Sequence, residues 1–344
     1  MKKDNNIFAK VIADSICNGH RITTMHVRAP RPILAEFNTH RCFSRNSASS
    51  RAIPTAKFRE RIRQHPYFPQ EWKKAGTGMS PAGPLDREAA AFQQFSAESL
   101  LARVLEWHEG CEAANGIAKE QLNRYLEPWL YTDILVTSTE YHNFFGQRCD
   151  GGADGAIQLA ADAMLECYVN STPVELKPGE WHLPFWVEPD SDLPGGIEDI
   201  LKVCTARCAR VSYFNFGENG VDQAKDLSTF DKLLNPPGGG FSHWSPFEHC
   251  AQAMGMDRGL YGDDDTFYSD GKGNHFHGGR CANFTGWVQY RHRFADRMQA
   301  QLAGLDLKQL LAKRQALYAV SVGSSCGSNI LKQLLAKRQA LCTA

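Results

Sequence analysis

The 344-residue chain carries 38 Lys and Arg against 38 Asp and Glu, so its formal charge is zero and a broadly basic, nucleic-acid-coating surface is excluded. Hydrophobic residues make up 42% and charged residues 22%, a globular composition that excludes a disordered or collagen-like chain. No apolar run approaches the roughly 20 residues of a membrane span, and the N-terminus lacks an apolar stretch of about 7–15 residues. The expectation is therefore a cytoplasmic protein with no membrane and no nucleic-acid partner.

Short β-rich runs at 11–16, 22–27 and 33–37, separated by polar or proline breaks, predict three strands. The stretch 38–54 is polar and dense in Ser, Arg and Asn. Between 64 and 87, Pro66, Pro69, Gly76, Gly78, Pro81, Gly83 and Pro84 predict a long surface loop, read as part of an insertion over about 56–114. From 88 to 127 the pattern turns helical. Phe92, Phe95, Leu100, Leu101, Val104, Leu105 and Trp107 recur at near-helical spacing, Gly110 and Gly116 are expected to break the run, and Pro128 to end it. Residues 132–139 read as a strand. Residues 156–168 read as a helix whose apolar stripe includes Ile157, Ala160, Met164 and Cys167. After a proline-rich 171–196, a helix begins over 197–203, 235–240 form a hinge or loop, and 247–256 and 284–290 read as strands.

Eleven cysteines, an odd number scattered through a long chain, fit reduced packing cysteines better than a disulfide framework. Cys204 and Cys208 are the closest pair, but no second pair or histidine pair completes a zinc pattern, so no metal is expected. The segment LKQLLAKRQAL stands at 307–317 and again, identically, at 331–341. Two copies fall short of the roughly three whole units that a solenoid needs. Residues 1–300 are therefore read as one α+β domain and 301–344 as an appended helical tail without a function of its own.

The densest polar segment runs from Thr39 to Arg51 and holds three arginines, one histidine and four serines. Arginine forks, serine hydroxyls and backbone N–H groups together make an anion cradle. The plainer alternative is a solvated basic loop, but the position directly after an apolar strand favours a site. The segment resembles the signature of flavin-dependent thymidylate synthases, an Arg-His-Arg followed by spaced Ser, Asn, Ser and Arg. His40, Arg41, Ser44, Asn46, Ser49 and Arg51 match in register. Thr39 stands where the family has its first arginine, and Ser47 where it has a glutamate.

A second block, Arg124 to Pro128, a strand, then Asn143-Phe144 to Arg148, resembles the family's Arg-x-x-x-Pro and Asn-Phe-x-x-x-Arg pattern. A third, Ala206 to Tyr213 with His243 to His249, resembles its Ala-Arg-Val-Ser and His-x-Ser-Pro-Phe-Glu-His blocks. Those blocks precede the Arg-His-Arg loop in the family and follow it here, so the motif order reads as a circular permutation, which surface termini make feasible. Residues 283–293 read as an extra strand without a role. No Gly-x-Gly-x-x-Gly, P-loop or Gly-x-Ser-x-Gly elbow points elsewhere.

The resemblance implies an α+β fold, a twisted mixed or antiparallel sheet wrapped by helices, and a homotetramer with shared active sites. It implies methylation of dUMP using FAD, NADPH and methylenetetrahydrofolate. Arg148, with Ser49, would be catalytic, its cation stabilising negative charge on the pyrimidine edge. Glu36, Thr39, Ser47, Ser49, Ser50, Arg51 and Arg124 would hold the pyrimidine nucleotide. His40, Arg41, Cys42, Asn143, Ser212, His243 and Ser245 would hold flavin or folate. Cys42 and Cys149 adjoin these motifs and are candidate thiol nucleophiles without an evident base partner. Two alternatives stay open. The altered Thr39 and Ser47 suit a related enzyme acting on another pyrimidine such as dCMP, or ending in hydroxymethylation. The stretch Ala153-Asp154-Gly155-Ala156-Ile157, where the family has Ala-Gln-x-Glu-Ile, suits a non-catalytic nucleotide- or flavin-binding protein.

Overall fold

The computed structural model describes residues 4–77, 81–213, 221–257, 267–269, 275–277, 280–312 and 314–315. The chain divides into two units, Met1–Arg293 and Phe294–Ala344. In the first, β1 (Phe8–Cys17) and β2 (His20–Pro30) form an antiparallel hairpin. Its turn is Asn18-Gly19, with φ of 50° and 80°, the positive pair that a two-residue hairpin turn of matching twist requires.

The third expected strand, 33–37, is helical instead. A 3-10 turn (Arg31–Ile33) runs into α1 (Leu34–Phe37). Pro32 has no N–H for a strand ladder and its fixed φ suits a helical start. Ile33 and Phe37, one helical turn apart, then bury on the same side. The stretch 38–54 contains a short edge strand, β3 (Ser44–Ser47). Next come α2 (Thr55–Gln64), the 29-residue α3 (Arg87–Asn115), α4 (Lys119–Leu122) and a 3-10 turn over Asn123–Trp129 that contains Pro128. Helix α3 passes through Gly110 unbroken and ends at Gly116, whose φ of 56° is the left-handed cap glycine tolerates. Leu101 is buried and Val104 and Leu105 pack beside it, while Phe92, Phe95, Leu100 and Trp107 are exposed. The apolar periodicity thus belongs to two faces of one helix.

All eight residues of β4 (Tyr131–Ser138) are buried. Two helices follow, α5 (His142–Arg148) and α6 (Gly155–Asn170), the latter capped by Asp154, which accepts from the Ala156 and Ile157 amides. With β5 (Val174–Glu175) the main sheet has the order β3-β4-β2-β1-β5, antiparallel except for the β1–β5 pair. Ile134 and Val136 on one face join Met25 and Val27 against Phe144, Ile157, Ala160 and Met164 of α5 and α6. On the other face Leu135 meets Cys208 and Val211.

That second cover comes from the later chain: β6 (Trp181–His182), α7 (Ile197–Ala209), α8 (Gln223–Leu234), a 3-10 turn over Ser245–Glu248 and β7 (Ala251–Ala253). Then follow β8 (Gly255–Asp257), β9 (Phe267–Ser269), β10 (His275–His277), β11 (Arg280–Cys281), β12 (Phe284–Thr285) and β13 (Trp287–Gln289). They form a β13-β7-β6 sheet, a β10-β9-β8 sheet and a β11-β12 pair. The run 247–256, expected as one strand, is therefore a turn and two short strands, because Pro246 opens a 3-10 turn at its head. Arg207 of α7 is buried and bonded to Asp190 and Asp226, which ties α7 to α8 and to the chain before it.

The expected class, a mixed sheet wrapped by helices, is the one observed. In the second unit, α9 spans Ala295–Ala303, and the second copy of the tail repeat lies outside the described residues. Among the described residues no helix is long and apolar enough to cross a membrane, and no group of three or more His, Cys, Asp and Glu could hold a metal.

Candidate active site

The segment 39–51 is gripped from several directions. His40 is buried and its Nε2 accepts a hydrogen bond from Arg148 Nε at 3.1 Å, which joins the first and second sequence blocks. The Ser50 carbonyl accepts from Asn123 Nδ2 at 2.8 Å, beside Arg124. The Ser49 amide donates to the Ser212 carbonyl at 3.1 Å, which brings in the third block. Three motifs spread over more than 170 residues of sequence therefore meet at one loop.

Arg148 is the last residue of α5. Phe144 and Phe145 on that helix are buried, and the Phe144 ring meets His40 edge-on at 4.9 Å. Arg148 Nη1 reaches Glu36 Oε2 at 3.3 Å. His40 Nε2 can accept only when it carries no proton, so the ring is neutral and protonated at Nδ1. Its pKa agrees: burial first, then the Arg148 and Arg45 cations, push it below the ordinary value. Glu36 and His40 thus fix two of the three guanidinium nitrogens, and Arg148 Nη2 has no partner among the described residues.

Glu36 and Arg148 line a cleft of about 1050 Å³ together with the loop carrying Tyr67, Trp72, Lys73 and Lys74. That loop is ordered by a Lys73–Pro84 bridge and by a hydrogen bond from Trp72 Nε1 to Gln94 on α3. The expected surface loop is thus also a wall of the cleft. Proline and glycine spacing marks a loop but says nothing of what it folds against.

A second cleft, of about 440 Å³, holds Asn38, Arg45, Ser47, Ser245 and Glu248. Ser47 and Ser245, from the first and third blocks, share it. Arg45, one of the three arginines of 39–51, has a structural part. Its guanidinium donates to the Asn38 side chain and to the Asn38, His40 and Phe43 carbonyls, which closes the turn 38–43.

The remaining candidates are more dispersed. Thr39 is exposed, and its hydroxyl donates to the Glu36 carbonyl at 2.7 Å. Arg41, Arg51 and His243 are exposed. Asn143 is exposed, with its amide oxygen accepting from Gln147. Arg124 lines a third hollow, with Trp107, Gln121 and Tyr125, and shares neither cleft. Cys42 is half-buried, and burial raises its thiol above the ordinary value. The Cys149 thiol is pushed up to about 11, by burial and then by Asp162. Neither supplies a thiolate at neutral pH.

The extra strand has contacts that sequence reading missed. Arg291 pairs with Glu248 and Arg293 with Glu198, so the literal Arg-His-Arg at 291–293 spends both cations on ion pairs. Asn283 and Gln289 reach the 39–51 loop itself. Nothing in their spacing marked them, because the pairing joins residues about 240 positions apart.

A family model described as thymidylate synthase complementing protein matches residues 15–174, just under half of the 344 residues. This stretch holds the 39–51 loop, Arg124, Asn143 and Arg148, and leaves the third block outside. Among solved structures, the chain is similar to thymidylate synthase X from Helicobacter pylori, determined with FAD and dUMP. Identity is 16% over 43% of this chain and 67% of that one, with a TM-score of 0.32. It is also similar to the UMP/dUMP methylase PolB from Streptomyces cacaoi, bound with 5-Br UMP. There identity is 15% over 49% of this chain and 90% of that one, with a TM-score of 0.40. No curated protein matches. Over residues 15–174 the chain is therefore similar to the family described as thymidylate synthase complementing protein, in line with the resemblance of its motifs to flavin-dependent thymidylate synthases.

Proposed function

We propose that the protein methylates dUMP to dTMP, taking the one-carbon unit from methylenetetrahydrofolate and reducing equivalents from NADPH through FAD. The observation that carries this reading is the Glu36–Arg148–His40 constellation, of which Glu36 and Arg148 line the 1050 Å³ cleft. A guanidinium held at Nε by a neutral imidazole and at Nη1 by a carboxylate presents Nη2 in a fixed direction. A pyrimidine edge placed there receives a donor and a positive charge where negative charge develops, with little reorganisation. Ser49, Ser50, Arg51 and Arg124 are assigned to the nucleotide, together with Thr39 and Ser47.

The donor set fits a flavin. Asn38, Ser245 and Glu248 line the second cleft with amide, hydroxyl and carboxylate groups, the partners that ring carbonyls and N–H groups need. FAD supplies hydride chemistry when bound, and His40, Arg41, Cys42, Asn143, Ser212, His243 and Ser245 are the residues assigned to hold it or the folate. The chain's own part is to bind, to orient and to stabilise charge. The same reading makes the protein a cytoplasmic homotetramer.

A second reading draws on Ser47, which stands where the family has a glutamate. A hydroxyl both donates and accepts, so it serves an amino group at C4 as readily as a carbonyl. A pyrimidine such as dCMP, or a hydroxymethyl product, belongs to this reading.

The test is the visible spectrum of the purified protein before and after anaerobic NADPH with dUMP present. Flavin bands that bleach support a working flavoenzyme, and product analysis with dUMP and dCMP then identifies the pyrimidine. A colourless protein that FAD cannot reconstitute overturns the proposal in favour of a nucleotide-binding protein.

A further inference from the structure

The segment from Asn283 to Gln289 has no part in the proposed chemistry, yet its two amide side chains end on the 39–51 loop. Asn283 Nδ2 donates to the Cys42 carbonyl at 3.1 Å and to Ser44 Oγ at 3.0 Å. Gln289 Nε2 donates to the same Ser44 Oγ at 3.1 Å and to Asn283 Oδ1 at 2.7 Å. Ser44 is buried on β3, and Gln289 is fully buried on β13. The amides therefore hold β3 and the residues before it against the later chain, on the face opposite Arg45 and Ser47.

Two features separate this from ordinary packing. Gln289 Oε1 is buried with no partner among the described residues, a position where an apolar side chain of the same shape would avoid an unsatisfied acceptor. Its two donor bonds are what the amide contributes there. Asn283, in turn, sits in the two-residue turn between β11 and β12 next to Ala282, whose φ is 55°. An L side chain in the left-handed region is disfavoured, so the turn is held against its local preference in the conformation that carries Asn283 to Cys42.

The grip is close to the proposed chemistry. Cys42 and Ser44 bracket Phe43, whose ring packs on Phe144 at 5.1 Å and on His40 at 5.8 Å. His40 in turn holds Arg148. We infer that Asn283 and Gln289 are positioning residues: they set the Cys42–Ser44 backbone, and through Phe43 and His40 they set the direction of the Arg148 guanidinium. This rests on the methyltransferase reading for its catalytic consequence, and on hydrogen bonds alone for its structural one.

Two variants and two readouts test it. Gln289→Met keeps the shape of the side chain and removes both its donors and its orphaned acceptor. Asn283→Ala, at a half-buried position, covers the case in which the first variant fails to fold. The first readout is hydrogen exchange on the full chain without ligand. Amides within 40–46 are expected to exchange at least about tenfold faster, with β1 and β2 unchanged, since a lost tether lowers the cost of local opening. The second is kinetic: kcat for dUMP methylation falls roughly tenfold or more while KM for dUMP stays within about threefold, the mark of lost orientation rather than lost binding. Unchanged exchange over 40–46 in folded variants overturns the tether, whether or not the protein is a methyltransferase. Faster exchange with unchanged kcat overturns the positioning role. If the wild type neither binds flavin nor oxidises NADPH, the functional reading and the positioning role fall together, and the exchange result still decides the tether.

Discussion

In the proposed reaction the chemistry turns on Arg148, and its neighbours explain why. A cation in the last turn of α5 is favoured by the helix dipole but is not oriented by it. Orientation comes from Glu36 and His40, two residues of a different segment. Arg148→Ala is expected to lower turnover on the order of 100–1000-fold, as loss of one oriented donor does, with the fold intact by circular dichroism. Unchanged turnover would remove Arg148 from the mechanism. Acid should act at the same point. As pH falls through the depressed pKa of His40, its Nε2 gains a proton and can no longer accept from Arg148. The acidic limb of a kcat–pH profile is therefore expected to lie below the ordinary histidine value. Substitution of His40 by Gln, which keeps an acceptor but does not titrate here, is expected to remove that limb.

At the scale of elements, α6 shows how a local signal and a site coincide. Asp154 departs from the family's pattern, yet it caps the helix through the Ala156 and Ile157 amides. It also lines the Arg148 cleft. Asp154→Ala is expected to cost about 1 kcal/mol in chemical denaturation, the usual loss for an N-cap, and a variant as stable as the wild type would show that the cap contributes nothing. Asp154→Ser, another good capping residue, should recover most of the loss. The long α3 makes a different point. Its apolar residues were legible as periodic, but periodicity could not say that Leu101 faces inward while Phe92, Phe95 and Trp107 face out.

At the scale of the whole molecule, a buried hydroxyl–imidazole chain crosses the layers. His182 is joined to Ser15 at 2.9 Å and to Thr24 at 2.8 Å, Thr24 to Thr137 at 2.7 Å, and Thr137 to His249 at 2.8 Å. It links β1, β2 and β4 to β6 and to the residue after the Ser245–Glu248 turn. Burial depresses the pKa of both histidines to about 3. Between that value and the ordinary 6.5 the unfolded chain binds protons that the native one does not, so stability rises with pH through this window and falls on acidification. Urea unfolding from pH 7 to 4.5 is expected to show that decline, and His249→Gln, which leaves His182, to reduce its slope by about half. The Asp190 carboxyl adds a separate loss at lower pH. Burial would raise it, but its bonds from Arg207 and Gln223 outweigh that and hold it below the carboxylate range.

What the sequence determined by itself was local. A turn glycine, an N-cap, an apolar stripe and the ordered donors of 39–51 act over a few residues, so composition and spacing expose them. Strands at 11–16 and 22–27, the strand at 132–139 and the helix at 156–168 were legible for that reason. The helical turn at 33–37 was not, because its apolar run fits a strand equally well until Pro32 and the burial of Ile33 with Phe37 decide between them. Only the tertiary structure decided which side chains meet. It put Glu36 and His40 on Arg148, Ser245 in one cleft with Ser47, the 67–76 loop along the Arg148 cleft, and Asn283 and Gln289 on Ser44. Those contacts join residues far apart in the chain, and their geometry is set by the sheet register and the packing of its two covered faces, which no single segment encodes.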